Sequence, residues 1–229
     1  MKSIQIRFLS TAALTVLVAT GSAAAQDTPP TVLNSFEVQQ LVKRAEPADS
    51  ARLAAHFTAL AERYGAEARR HTSMAQSFVG NPSRSLGTGM STHCKRLADL
   101  NTQSATELGE LAAYHRQLAS GLDAPRPAAG ARFEGGAGAP APSDKDLATL
   151  AARASTPADH HALEEYFLTL AARYAADARA HSAFASGIRG TRIEHAAALH
   201  DRLARLSRDA AKEANAAAEM HKQLANIGR

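Results

Sequence analysis

The sequence predicts an all-α fold: two duplicated antiparallel helical hairpins, paired into one four-helix bundle. Three observations predict it. One pattern is written twice, since Leu53, Phe57, Leu60, Arg63-Tyr64, Glu67, His71, Met74, Phe78 recurs as Leu163, Phe167, Leu170, Arg173-Tyr174, Asp177, His181, Phe184, Ile188, always 110 residues on; a fixed offset marks a duplication. The apolar positions of each copy advance in steps of four and three, the spacing of a buried helix seam, and no alternating Val/Ile/Thr run reads as a strand. Roughly a quarter of the residues are Ala, aromatics make up 5% and Trp is absent, a composition that favours closely packed helices.

Taken in chain order, residues 1–25 read as a secretory signal peptide. Lys2 and Arg7 form the basic start, Phe8 to Val18 the apolar stretch, and Ala23-Ala24-Ala25 the small-residue cleavage pattern. The apolar run is too short to span a membrane stably. The expectation is an exported, periplasmic protein without a membrane span. Residues 26–35 read as a disordered leader, because Asp27-Thr28-Pro29-Pro30 has nothing to bury.

The first hairpin is assigned to residues 36–120. A short helix, 36–45, stops before Glu46-Pro47-Ala48-Asp49, which opens a long helix over 48–78. Gly80-Asn81-Pro82-Ser83 breaks that helix, and a second long one returns over 90–120. Residues 121–144, rich in Gly, Pro and Ala and without an apolar period, read as a flexible linker. The second hairpin, 145–229, repeats the plan with helices over 145–154, 158–188 and 192–226. Its long helix starts at Thr156-Pro157-Ala158-Asp159, with a capping Thr, Pro in the first turn and an acid close behind.

Charge excludes little except nucleic acid. The chain carries 26 basic and 22 acidic residues; losing Lys2 and Arg7 leaves 24 against 22, too even for a phosphate-binding footprint. The single cysteine, Cys94, has no partner for a disulfide within the chain, so an exported thiol is expected to be buried or coordinated.

The seam carries the functional signal, because each copy places an acid and a histidine where Ala, Leu and Phe would suffice. The returning helices align with a different offset, Tyr114-His115 matching Met220-His221, and this sets Cys94 opposite His200. That exchange replaces one metal-ligating residue type with another. The candidate ligands are Glu67, His71, Met74, Met90 and Cys94 in the first copy and Asp177, His181 and His200 in the second. Both hairpin loops are expected at one end of the bundle, which would gather these residues there. His115 and His221 form a second, poorer cluster at the open end, opposite His56 and His160-His161. The soft donors suit Cu(I) and the imidazole set Zn(II) or Cu(II).

A histidine on an apolar face also serves as an ordinary core residue, and buried acids serve as partners of Arg. No phosphate loop, nucleophile elbow or haem-attachment motif occurs, and Glu67 and His71 are one residue too far apart for a di-iron Glu-x-x-His pair. The expectation is a non-enzymatic binder of copper or zinc that sequesters or delivers the ion. The chain would be a monomer or homodimer, and another envelope protein is the further partner this reading allows. A metal-free helical scaffold is the alternative, and a b-type haem bundle the weakest.

Overall fold

The computed structural model describes residues 32–44, 46–79, 81, 84–121, 143–191 and 193–227. The expected signal peptide, most of the expected leader and residues 122–142 of the expected linker lie outside the described residues. The described chain is all-helical, with six helices in the order α1 (Ser35–Arg44), α2 (Pro47–Val79), α3 (Arg84–Ser120), α4 (Asp144–Arg153), α5 (Pro157–Ile188) and α6 (His195–Ile227). Among the described residues, no helix is long and apolar enough to cross a membrane.

Local chemistry fixes the helix starts. Before α1, Asn34 Oδ1 accepts from the Glu37 amide and Glu37 Oε2 accepts from the Asn34 amide, both at 2.9 Å, a reciprocal cap. The expected cap of α5 is present, with Thr156 and Asp159 bonding each other's backbone and Pro157 in the first turn. Ser143 caps α4 through the Asp146 amide. Helix α3 starts at Arg84, six residues before the expected Met90. Gly87-Thr88-Gly89 reads as a breaker in isolation, but packing overrides propensity here: a Cβ on Gly89 would lie 2.8 Å from Met220 Cε, so the glycine admits α6's side chain.

The long helices share one core. Helix α3 runs back along α2, with Phe57 stacked on His115 and Arg116 Nη1 donating to Thr58 Oγ1 at 3.2 Å. Helix α6 runs back along α5 in the same way, and α3 lies against α6 through Arg202 Nε to Glu107 Oε2 at 2.7 Å. The backbones of α2 and α5 stand further apart, and α1 and α4 lie across the gap between them. Helix α1 is tied to the start of α2 by Arg44 and Asp49 at 2.8 Å. Helix α4 sits at the other end, where buried Asn81 donates to the Ala151 and Ala154 carbonyls at 3.2 Å each.

Large polar side chains bridge the α2–α5 gap. Tyr64 donates to Asp177 Oδ2 at 2.8 Å, Arg173 Nη1 to Glu67 Oε1 at 3.0 Å, and the Tyr64 and Tyr174 rings lie 6.3 Å apart. Tyr64 and Tyr174 are duplicate positions, so their contact places a pseudo-two-fold axis between the copies. His71 meets Phe167 near one end, while Tyr64 meets Asp177 nearer the other. Helices α2 and α5 therefore run antiparallel.

This corrects the expected arrangement with both loops at one end. The turn after α2 and the turn after α5 lie at opposite ends of the core. Chain geometry agrees: α3 ends with Ser120 beside Ala51, whereas α4 begins with Asp144 paired to Arg70, 19 residues further along α2. At 1.5 Å per residue that is about 28 Å, more than a short turn between neighbours covers.

Buried Asn101 answers both Tyr174 and the Leu97 carbonyl, its Nδ2 lying 2.7 Å from each. Removing the phenol leaves the amide short of a partner. Tyr174→Phe should cost about 1–3 kcal/mol, read as a lower urea midpoint at unchanged slope. A wild-type midpoint would show that this bond between α3 and α5 adds nothing to stability.

Candidate functional site

The antiparallel docking sorts the buried histidines into two groups, one at each end of the core. Each is built around a phenylalanine at a duplicate position, Phe57 or Phe167.

Around Phe57, α2 supplies His56, α3 His115, α5 His181 and α6 His200, all buried. Phe57 stacks on His115 with centroids 5.4 Å apart and meets His200 edge-on at 5.6 Å. Phe184 stacks on the other side of His200 at 5.4 Å. His181 Nδ1 and His200 Nδ1 are 3.0 Å apart, so one is protonated and donates to the other. His56 Nδ1 accepts from the Leu33 amide at 3.0 Å, which puts the proton of the neutral ring on Nε2.

Around Phe167, α2 supplies His71, α5 His160 and Tyr166, and α6 His221. Phe167 stacks on His221 at 5.8 Å and on His71 at 6.3 Å. His160 Nδ1 and His221 Nδ1 are 3.3 Å apart. His71 is wholly buried, neither ring nitrogen has a hydrogen-bond partner among the described residues, and its Nε2 lies 3.8 Å from Glu67 Oε2. By the repeat alignment His71 corresponds to His181, His221 to His115, Cys94 to His200 and Tyr166 to His56. Imidazoles thus fill all four positions at the Phe57 end but only two at the Phe167 end.

The expected gathering of Glu67, His71 and Cys94 with Asp177, His181 and His200 does not occur, because the antiparallel docking sends the two sets to opposite ends. Glu67 sits between Arg70 Nη1 and Arg173 Nη1, at 2.9 and 3.0 Å, and Asp177 accepts from Tyr64. Both acids hold α2 to α5. Met74, Met90 and Cys94 are fully buried in the common core, and Cys94 is a free thiol. The expected meeting of His181 and His200 is present. The cluster read as poorer is richer than expected: His115 and His221 are buried members of the two groups. His56 and His160, expected opposite them, are buried with them, while His161 is exposed. His160 lies three residues before Leu163, so extending the four-three pattern backwards would have placed it on the seam.

Burial keeps these rings neutral. It lowers His56, His71, His115 and His181 to about 4 and His221 to about 3. Neighbouring imidazoles add to the effect at His56, His115 and His221; at His71 the Glu67 carboxylate opposes it. His200 falls well below the ordinary range for the same reason, with His181 first among its neighbours. Burial, with the Glu213 charge, pushes the Cys94 thiol up to about 12. Among the described residues, no three His, Cys, Asp or Glu side chains stand where one ion would take them all. What the arrangement offers is paired neutral imidazole donors in a buried interior.

No protein-family model matches the chain, and no curated protein or solved structure does.

The pH dependence follows from the sign of these shifts. The unfolded chain takes up protons near the ordinary value of 6.5, while the folded histidines resist until about 4. Stability is complete above about 6.5 and drains away as pH falls toward 4. In the presence of a chelator, the urea midpoint followed by far-UV circular dichroism should drop steeply over that window. A flat profile there would contradict buried neutral imidazoles.

Proposed function

We propose that this is an exported, periplasmic, non-enzymatic protein, a four-helix bundle of two duplicated hairpins. It would bind copper or zinc for sequestration or delivery, with the ions held at the paired histidines at the two ends. The observation that carries this reading is the spacing of the two pairs, Nδ1 to Nδ1, at 3.0 Å for His181–His200 and 3.3 Å for His160–His221. Two nitrogen ligands each about 2.0–2.1 Å from a tetrahedral ion stand about 3.3 Å apart. A divalent or cuprous ion could therefore replace the shared proton at nearly the same spacing, each ring turning by about 35° to aim its lone pair at the ion.

Other features support the same reading. Imidazole must be neutral to ligate, and burial keeps these rings so at neutral pH. His56 and His115 lie against the same Phe57 as one pair, and His71 against the same Phe167 as the other. Core packing alone accounts for the Phe57, Phe167 and Phe184 stacks, so the metal-free scaffold is the competing reading.

Equilibrium dialysis of the mature chain against micromolar Cu(II), Zn(II) or Cu(I), with elemental analysis, tests this. One bound ion should be lost with the double change His181→Ala and His200→Ala, and another with His160→Ala and His221→Ala. The exposed change His161→Ala should lose none. Wild-type protein that retains no ion would leave the histidines as core residues and favour the scaffold.

A further inference from the structure

The two short helices lie across the α2–α5 gap at opposite ends, and they are fastened differently. Helix α1 buries Val38 and Leu41, each 2% exposed, in the common core. Its last residue, Arg44, pairs with Asp49 in the first turn of α2 at 2.8 Å. Just before its start, the Leu33 amide donates to His56 Nδ1 at 3.0 Å. His56 lies against Phe57 with ring centroids 5.1 Å apart, and Phe57 meets His200 of the His181–His200 pair at 5.6 Å. The N-terminal end of α1 therefore rests on an imidazole of the Phe57 group.

The other copy shows what is peculiar to this bond. The caps align, Asn34 and Glu37 at α1 matching Ser143 and Asp146 at α4. The residue before the cap is Leu33 in the first copy and Pro142 in the second, and His56 is matched by Tyr166. Proline has no amide hydrogen, so the second copy cannot make the bond. Helix α4 is held instead by Asp144 on Arg70 and by buried Asn81, which donates to the Ala151 and Ala154 carbonyls. Asn81 is matched by Thr191, whose hydroxyl donates to the Ile188 carbonyl at the end of α5. An amide side chain thus ties down α4, whereas α1 is tied to an imidazole within the candidate site. We infer that α1 is a lid over the imidazoles at the Phe57 end, latched by the Leu33 amide on His56 and lifting to admit the ion, while α4 is a fixed cover at the Phe167 end. This rests on the metal-binding reading above. Lifting about the Arg44–Asp49 pair gives up the Leu33–His56 bond and the burial of Val38 and Leu41, and it leaves the long helices in place.

The first test is native-state hydrogen exchange of the full mature chain without metal. Amides of α1 should exchange well ahead of those of α4 and the long helices, through local opening. Leu33→Pro copies the second half and deletes the donor; it should speed α1 exchange by about threefold to tenfold and leave α4 unchanged. Leu33→Ala keeps the amide and should speed it less. His56→Phe removes the acceptor, and combining it with Leu33→Pro should add nothing to either change alone. Exchange of α1 in step with the long helices, or a Leu33→Pro chain no faster than Leu33→Ala, overturns the latch. The second test is stopped-flow uptake of Zn(II) by the chain carrying His160→Ala and His221→Ala, so that only the Phe57 end reports. Leu33→Pro should speed uptake by the same factor, with the amount bound at equilibrium unchanged. Faster exchange with an unchanged uptake rate overturns α1 as the entrance and leaves the metal-binding reading standing. If the unmodified chain takes up no Zn(II), the metal-binding reading falls and the entrance with it, whatever the exchange shows.

Discussion

The antiparallel docking of α5 on α2, through Tyr64–Asp177 and Glu67–Arg173, decides where every buried histidine ends up. These bonds lie near the pseudo-two-fold axis, midway along the helices. A slip of one turn would move each imidazole about 5.4 Å relative to the opposite half and separate the Phe57 stack on His115 from its edge contact with His200. Buried ion pairs add little net stability, because desolvation offsets their attraction. Arg70, on the same helix, accompanies Glu67 in any register, but only one register adds Arg173 as its partner from α5. The belt of acids, tyrosines and Asn101 is best understood as the device that selects this alignment.

That belt also shows why part of the structure was legible in the sequence and part was not. The duplication, the four-three seam and the Thr156 cap are local signals, and each corresponds to a feature of the described helices. The meeting of His181 and His200 followed from their separation on two helices joined by a short turn. The mutual direction of the two copies had no such signal. A heptad seam is equally apolar from either end, so packing α5 parallel or antiparallel to α2 satisfies the pattern equally well. Glu67 and Asp177 were read as ligands because an acid on a seam shows that it needs a partner but not which one. Arg173 and Tyr64 lie on the opposite copy, so finding them required the orientation that the pattern withholds.

The same constraint explains why the donors are divided. Because the matching positions of the repeated pattern are related by the pseudo-two-fold axis, each pair of matched residues is split between the two ends, and where the residues differ the ends differ. His200 faces Cys94 in this comparison, His56 faces Tyr166, Phe184 faces Met74 and Tyr114 faces Met220. Met74, Met90, Met220 and Cys94 all fall in the half that holds Phe167, whereas the Phe57 end has imidazoles alone. Thiolate and thioether favour Cu(I), and imidazole favours Zn(II) or Cu(II). On the metal-binding reading, both ends would nevertheless share one preference, that of paired imidazoles, because Met74, Met90 and Cys94 are packed in the common core and burial raises the Cys94 thiol's pKa. Substitutions at either end can change that preference without disturbing the central belt, because the side chains that hold the two halves together are not the ones that would hold the ion.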